Sequence, residues 1–109
     1  MTRSDRERVA DVLEAAAEVE AIVARGRPAF DADPVLRRAL ERLLEIIGEA
    51  ANGLSDEFKA TIPGVPWRDI GRLRIVIAHH YHRVDPAQVW EIAATECPTL
   101  VVEIRSAGF

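Results

Sequence analysis

Apolar residues recur at helical spacing in four stretches of this chain, and no convincing strand pattern is present. The first stretch runs from Ser4 to about Arg25, with acids and arginines between its apolar positions, and ends near Gly26. The apolar positions are Val9, Val12, Leu13, Ala16, Val19 and Val23. This pattern predicts a first amphipathic helix with one buried face.

A second helix is predicted to begin at Asp33-Pro34. Aspartate is a good N-cap, and proline fits the first helical position because its missing N–H is not needed there. The helix extends to about Asn52-Gly53, and its apolar stripe has alternating spacings of four and three residues: Leu36, Leu40, Leu43, Ile47 and Ala50. This stripe is the strongest core signal in the sequence.

The second half of the chain contains two further helix starts. Residues 55–58 look like the capped start of one short helical turn, and residues 63–66 form a proline-rich loop. Trp67 opens a third long helix, and Asp85-Pro86 begins a fourth, interrupted or kinked near Pro98. We therefore expect an all-α, up-and-down bundle of four main helices with an extra short helical turn, forming one domain over residues 1–109.

The length and charge of the chain narrow the possible functions. With 109 residues, 49% of them hydrophobic, the chain can fill one modest core, and such a small domain is expected to self-associate. A net charge of -4 argues against a general nucleic-acid coat protein. Residues 67–83, however, carry four arginines and one aspartate, so this basic strip could still bind a phosphate backbone.

The sequence also predicts where the protein resides. No run of eighteen apolar residues exists, and the charged residues 1–6 lead directly into an amphipathic pattern, so we expect neither a membrane span nor a signal peptide. The single cysteine, Cys97, cannot form an internal disulfide, which suits the reducing cytoplasm. Cys97 is expected to be a packed, half-buried helix residue.

All three histidines fall within four positions, His79, His80 and His82, with Tyr81 among them and Arg74 five residues before the first. Imidazole titrates near neutral pH, so the cluster combines proton transfer with anion binding. The competing interpretation takes His79 and His82, with Asp85, as zinc ligands. No cysteine or acidic cluster completes a tetrahedral set, which makes zinc the weaker hypothesis.

Helix geometry constrains how Arg74 and His79 could act together. Arg74, Ala78 and Tyr81 share one stripe of an ideal helix, whereas His79 points about 140° away from Arg74. One rigid helix would not direct both side chains at one phosphate. Two such helices meeting across a two-fold axis could do so, which favours a site at a homodimer interface. A long arginine reaching around its own helix is the alternative.

The segment from Arg74 to Tyr81 has the form R-x4-H-x-Y and resembles the signature of the HEPN superfamily. Within it, the chain is most similar to HepT-like toxin subunits, which are encoded beside a nucleotidyltransferase of the MNT type. Further segments that look like this family lie along most of the chain: residues 37–41, 45–51, 66–70, 84–85 and 89–90.

The resemblance implies a metal-independent endoribonuclease that is active as a dimer, needs no cofactor and has RNA as substrate. Arg74 and His79 would be its catalytic pair. Tyr81 corresponds to the tyrosine that the partner nucleotidyltransferase, the antitoxin, modifies with AMP; the alternative is a packed tyrosine with a solvated hydroxyl. Candidates for contacts to RNA are Arg68, Arg72, His80 and Arg83, for which a solvated or packed surface position is the alternative.

The chain departs from the family pattern at two positions. Ile75 follows the arginine where a polar residue is common, and His80 stands where a small residue is frequent. Loss of a polar group beside Arg74 would weaken catalysis. The second hypothesis is therefore a non-catalytic helical module that binds a nucleotidyltransferase partner or a nucleotide.

Overall fold

The computed structural model describes residues 3–79 and 85–109, with the helical backbone alone for Ala78 and His79. Within these residues the chain is helical and contains no strand. Its elements are α1 (Asp5–Val23), α2 (Arg27–Ala32), α3 (Pro34–Asn52), α4 (Asp56–Thr61), α5 (Trp67–His79), α6 (Pro86–Glu91), a π-helical turn (Ile92–Glu96) and α7 (Cys97–Ser106). The expected all-α fold is confirmed.

The helix starts follow the capping signals in the sequence. Ser4 and Glu7 form a reciprocal capping box at the start of α1. The side chains of Asp33 and Asp85 accept hydrogen bonds from the backbone N–H groups of Val35 and Ala87, and each aspartate is followed by proline. These caps satisfy backbone donors that would otherwise have no partner within the helix.

The central element is α3, which packs against α1 on one side and α5 on the other. The π-helical turn and α7 pack mainly on α1 and complete the bundle. The largest fully buried side chains come from α1, α2, α3 and α7: Val9, Val12, Val19, Phe30, Leu40, Leu44, Ile47 and Ile104. Leu43, predicted for the core stripe, packs against the core but is only partly buried, and Leu44 is the residue that is fully buried there.

The short helix α2 was not predicted from the sequence. Gly26 precedes it with φ of 89°, a backbone conformation that glycine adopts at little cost. Phe30 is completely buried, and its ring lies 5.2 Å from that of Trp90. Arg37 of α3 donates a hydrogen bond of 2.9 Å to the carbonyl oxygen of Asp31. The connection between α1 and α3 is therefore part of the packed structure.

The helix around Pro98 widens instead of breaking. The backbone N–H of Cys97 donates to the carbonyl of Ile92, five residues back, which gives one turn of π-helix before Pro98. Proline has no N–H and crowds the preceding turn, and the wider turn accommodates both effects. Cys97 is buried rather than half-buried, and burial raises the pKa of its thiol to about 11.

Candidate active site

Arg74 lies opposite Gly48, at a close approach between the backbones of α3 and α5. A β-carbon placed on Gly48 of α3 would lie 2.6 Å from the backbone nitrogen of Arg74 and 3.1 Å from the carbonyl oxygen of Ile70. A larger residue could not occupy this position without separating the helices. Gly48 therefore permits the close packing of α5 on α3, and this packing fixes the position of Arg74.

The side chain of Arg74 is partly buried, and its Nε atom is fully enclosed. Within residues 3–79 and 85–109, this Nε–H group has no hydrogen-bond partner. An unsatisfied buried donor costs roughly 1–3 kcal/mol, so proteins seldom retain one without a reason. The enclosed Nε cannot itself be reached from solvent, so its unsatisfied donor marks Arg74 as an arginine whose guanidinium is not fixed by a partner among the described residues.

Arg74 forms part of the wall of an open pocket of about 380 Å³, which we call the α4–α5 pocket. Its lining comes from the end of α3, from α4 and from residues 67–75 of α5: Asn52, Asp56, Lys59, Trp67, Arg68, Gly71, Arg72, Arg74 and Ile75. Four of these residues are cationic and one is acidic, so the pocket carries a balance of 4 − 1 = +3. An anion is the natural ligand of such a surface.

Among the described residues the four cations of the pocket form no ion pairs, although Asp56 lines the same pocket and Asp5 feels the charge of Lys59. Arg3, Arg27 and Arg42 elsewhere on the surface form ion pairs with nearby carboxylates. Among the described residues, by contrast, no acidic side chain forms an ion pair with any of the pocket's cations: Lys59, Arg68, Arg72 and Arg74. Their charge is therefore available to a ligand.

Two sets of contacts fix the wall that α4 provides. Asp5 accepts hydrogen bonds from the hydroxyl and the backbone N–H of Ser55, at 2.6 and 2.9 Å, and Ser55 caps α4 through the N–H of Phe58. The Phe58 ring lies 6.1 Å from that of Trp67, whose indole N–H donates to the carbonyl of Ile62. The start of α1 and the start of α5 thus hold α4 between them.

The sequence-predicted residues fall into three groups. Arg68, Arg72 and Arg74 line the same pocket, and Arg68 and Arg72 are exposed. His79 is the last residue of α5, about 7.5 Å further along the helix axis than Arg74. The remaining predicted residues lie outside the described part of the chain: His80, Tyr81, His82 and Arg83. Their assigned roles stay predictions.

Ile75 also lines the pocket, where the family pattern commonly has a polar residue. Its side chain is 41% exposed, beside Arg74 and on the pocket side of α5. The isoleucine side chain has no hydrogen-bonding group to offer a ligand there. The pocket therefore has an apolar edge next to its deepest cation.

Sequence reasoning missed three residues of this region: Gly48, Asn52 and Lys59. Lys59 is the chain's single lysine, and it lies on a short helix that the sequence connects with neither Arg74 nor the histidines. Gly48, inside an otherwise strong helix, was a usable signal, because a glycine there often marks a close helix–helix approach. The joint placement of Asn52 and Lys59 depends on tertiary packing and had no local signal.

Two negative findings apply to the described residues only. No three of their His, Cys, Asp and Glu side chains come together as a set of metal ligands. The zinc hypothesis includes His82, so it is not tested by that result. None of their helices is long and apolar enough to cross a bilayer.

The fold and the pocket together define a class of protein: a small helical bundle with a basic pocket. Three arginines of this pocket lie on one helix that ends in a histidine, and one of them is partly buried; within the described residues none of the three forms an ion pair. The sequence pattern of the family described as "Ribonuclease HepT-like" matches residues 12–107. The chain belongs to this HepT-like family, as the motif at Arg74 and His79 indicated.

Three relatives illustrate the similarity. A protein named "Probable ribonuclease HepT" from Thermococcus cleftensis is 33% identical over 101 residues, which cover 92% of each chain. A candidate RNase from Caldanaerobacter subterraneus subsp. tengcongensis is 41% identical over 76 residues, 70% of this chain and 68% of the relative. Another candidate RNase, from Methanocaldococcus jannaschii, is 33% identical over 76 residues, 70% of each chain. The comparison with solved structures gives no significant match.

Proposed function

We propose that this protein is a metal-independent endoribonuclease whose active site contains Arg74 and His79. The observation that carries the proposal is the enclosed, unpartnered Nε of Arg74 in a basic pocket, five residues before a histidine, in a chain of a ribonuclease family. Arg74 is only partly buried, and a guanidinium that no partner among the described residues fixes is suited to a phosphate oxygen, which accepts strong, charge-assisted hydrogen bonds.

The proposed reaction uses the RNA's own 2′-hydroxyl as nucleophile. Its oxygen forms a bond to the adjacent phosphorus while the bond from phosphorus to the 5′-oxygen breaks, leaving a 2′,3′-cyclic phosphate and a 5′-hydroxyl. One group must take the proton from the 2′-oxygen, and one must give a proton to the leaving oxygen. His79 performs one of these transfers, and Arg74 stabilises the negative charge that grows on the phosphate.

The active species is proposed to be a homodimer. On one ideal helix the directions of residues 74 and 79 differ by about 140°, so a shared cleft between two copies of α5 is the arrangement that brings both to one phosphate. Ile75 and Val76 are exposed apolar residues on α5, between Arg74 and His79. Apolar surface at this place is consistent with contact between two subunits.

Regulation by a partner completes the proposal. A nucleotidyltransferase of the MNT type would act as antitoxin by transferring AMP from ATP to the hydroxyl of Tyr81, with pyrophosphate as leaving group. The added phosphodiester carries a negative charge that would compete with RNA for nearby arginines. The protein and its partner would then form a toxin–antitoxin pair.

The first test incubates the purified protein and its His79→Ala variant with mixed RNA in excess chelator. We expect cleavage by the wild-type protein, loss of cleavage in the variant, and 2′,3′-cyclic phosphate ends on the fragments. Circular dichroism verifies that the variant is folded. Cleavage that requires an added metal ion, or that is indifferent to residue 79, contradicts the mechanism.

One observation favours a second function. Ile75 removes a polar group from the position beside Arg74, and it is 41% exposed on the pocket side of α5. A non-catalytic module that binds a nucleotidyltransferase or a nucleotide would keep the basic pocket and need no polar residue there. Absence of cleavage by the unmodified wild-type protein, with nucleotidyltransferase binding retained in His79→Ala, supports this alternative.

A further inference from the structure

We infer that the α4–α5 pocket is an RNA-binding subsite that holds backbone phosphates next to the scissile one, and that Lys59 is its outer positioning residue. The inference rests on the proposed ribonuclease function. It adds to the site one helix, α4, and one side chain that neither the motif nor the histidine cluster includes.

Cations lie on both α4 and α5, and this arrangement favours contacts to several consecutive phosphates of an RNA strand over contact to a single phosphate. Arg74 on α5 and Lys59 on α4 are both half-buried, and the Nε of Arg74 is enclosed, whereas Arg68 and Arg72 are exposed. A single phosphate bound at Arg74 would not need cations on a second helix. A chain of phosphates that continues past Arg74 towards α4 would contact both walls.

The other side of α5 has the opposite electrostatic character. A second pocket, of about 210 Å³, lies between the start of α5 and the segment from Ile92 to Glu103. Its charged lining residues are Asp69, Glu96 and Glu103, and its floor includes apolar side chains such as Val65 and Leu100. These carboxylates repel a polyanion, so RNA is directed to the α4 side of α5.

The wall that carries Lys59 is held in position before any ligand binds. Phe58, the neighbour of Lys59, packs edge-on against the rings of Trp67 and Phe109, and Ser55 is bonded to Asp5 of α1. Lys59 is therefore presented by a helix with fixed ends. A pre-organised cation loses less conformational freedom on binding than one on a free loop.

The test measures binding of a fluorescein-labelled, twelve-nucleotide uridine RNA to the His79→Ala protein, in which the RNA stays intact. Anisotropy titrations at several salt concentrations compare this parent with the same protein carrying Lys59→Gln, Lys59→Arg or Arg25→Gln. Arg25 is the matched control. It is an exposed cation just beyond the C-terminal end of α1. The α4 side of the pocket contacts the opposite end of α1, through the hydrogen bond from Ser55 to Asp5, so Arg25 lies away from the pocket.

We expect Lys59→Gln to weaken binding about five-fold at 0.1 M salt and to reduce the slope of log K against log salt by about 0.7, the value for one lost contact to single-stranded nucleic acid. Lys59→Arg should restore both quantities, and Arg25→Gln should match the parent. With the cleaving protein, Lys59→Gln should raise KM more for the twelve-nucleotide RNA than for a dinucleotide.

Several results would overturn the subsite. Equal effects of Lys59→Gln and Arg25→Gln on RNA affinity would show that only net charge matters. If the parent binds the RNA and Lys59→Gln does not change the affinity, Lys59 does not contact the RNA. Cleavage by the wild-type protein without measurable binding of the long RNA to the parent would defeat the subsite and leave the ribonuclease proposal intact. A different result, Lys59-dependent binding of RNA without cleavage by the wild-type protein, would keep the RNA-binding pocket and reject the ribonuclease proposal, and with it a scissile phosphate.

Discussion

Gly48 and Arg74 touch across the interface between α3 and α5, and no β-carbon fits between them. The clash in Gly48→Ala would be with the backbone nitrogen of Arg74 at 2.6 Å, which cannot rotate away as a side chain could. Overpacking of this kind costs about 1–3 kcal/mol. We therefore expect a lower free energy of unfolding in urea, together with reduced RNA cleavage, because the displaced α5 carries the proposed catalytic pair.

Gly71→Ala is the matched control for this prediction. A β-carbon on Gly71 would lie 3.4 Å from that of Asn52, an ordinary contact, and alanine is favoured over glycine inside a helix by about 1 kcal/mol. This variant should be as stable as the wild type or more so. Equal stability of the two variants would show that the close approach at Gly48 is not a constraint.

We expect Arg74 to be needed for RNA cleavage but not for the stability of the fold. Arg74→Met removes an enclosed donor that has no partner among the described residues and keeps the apolar stem, so the free energy of unfolding should equal or exceed that of the wild type. Cleavage should fall by about 10²–10³, as for other groups that stabilise transition-state charge. The measurements are urea unfolding and initial rates of cleavage.

Arg37→Met provides the contrast for Arg74→Met. Arg37 donates to the backbone carbonyls of Phe30 and Asp31 and thereby holds α2. Its loss should reduce the free energy of unfolding by about 1 kcal/mol, the usual contribution of such hydrogen bonds, with little effect on cleavage. A large loss of stability in Arg74→Met would mean that its guanidinium has a structural role.

The comparison between sequence and structure shows which features are locally encoded. The starts of α3 and α6 were predictable because an aspartate cap followed by proline specifies a helix start whatever surrounds it. The choice between Leu43 and Leu44 was not, since either fits a helical stripe and the angle at which α1 and α5 meet α3 decides it.

Part of the candidate site was likewise predictable from the local sequence, and part depends on tertiary contacts. The position of Arg68, Arg72 and Arg74 on one helix was foreseeable from the sequence, but their common pocket was not, because Arg72 and Arg74 point about 160° apart on an ideal helix. Lys59 joins them only because Phe58 packs on Trp67 and Ser55 bonds to Asp5, and the second of these contacts spans fifty residues. Such tertiary contacts leave no periodic trace in a single sequence.

The contact between Asp5 and Ser55 predicts a dependence of stability on acid. Hydrogen bonds from the Ser55 hydroxyl and backbone lower the pKa of Asp5 below its ordinary value of 3.8. The carboxylate therefore stabilises the fold at pH values above 3.8, and this contribution is lost as the pH falls through the folded-state pKa. In Asp5→Asn, urea midpoints measured between pH 2 and pH 7 should show a shallower decline in acid.

Asp31→Asn is the appropriate reference for Asp5→Asn. Asp31 is an exposed aspartate that pairs with Arg27 within α2, so its removal eliminates one carboxylate without touching the contact between α1 and α4. Its acid profile should follow that of the wild type. If Asp5→Asn and Asp31→Asn give the same profile, the bond to Ser55 does not contribute to stability.

Cys97 predicts a second pH effect, at the alkaline end. Burial, with a smaller contribution from the charge of Glu20, raises the pKa of the thiol to about 11. An unfolded thiol ionises near its ordinary pKa, so stability should decline as the pH rises from about 9 to 11 and Cys97→Ala should lack this decline. At pH 8, iodoacetamide should label the thiol in urea and leave it unlabelled in the folded protein; rapid labelling without urea would contradict its burial.

Positions 74 and 79 point in different directions on an ideal helix, so the proposed dimer can be tested by a complementation experiment. Arg74→Ala and His79→Ala subunits, each inactive alone, are co-expressed with different tags, and the heterodimer is isolated by sequential purification. If each cleft takes Arg74 from one subunit and His79 from the other, one of the two clefts is intact, and cleavage should return to at most one half of the wild-type rate. A heterodimer of verified composition that stays inactive would mean that each cleft needs both residues from the same subunit or all four together. Mixing the separately purified variants without subunit exchange is the control, and it should give no cleavage.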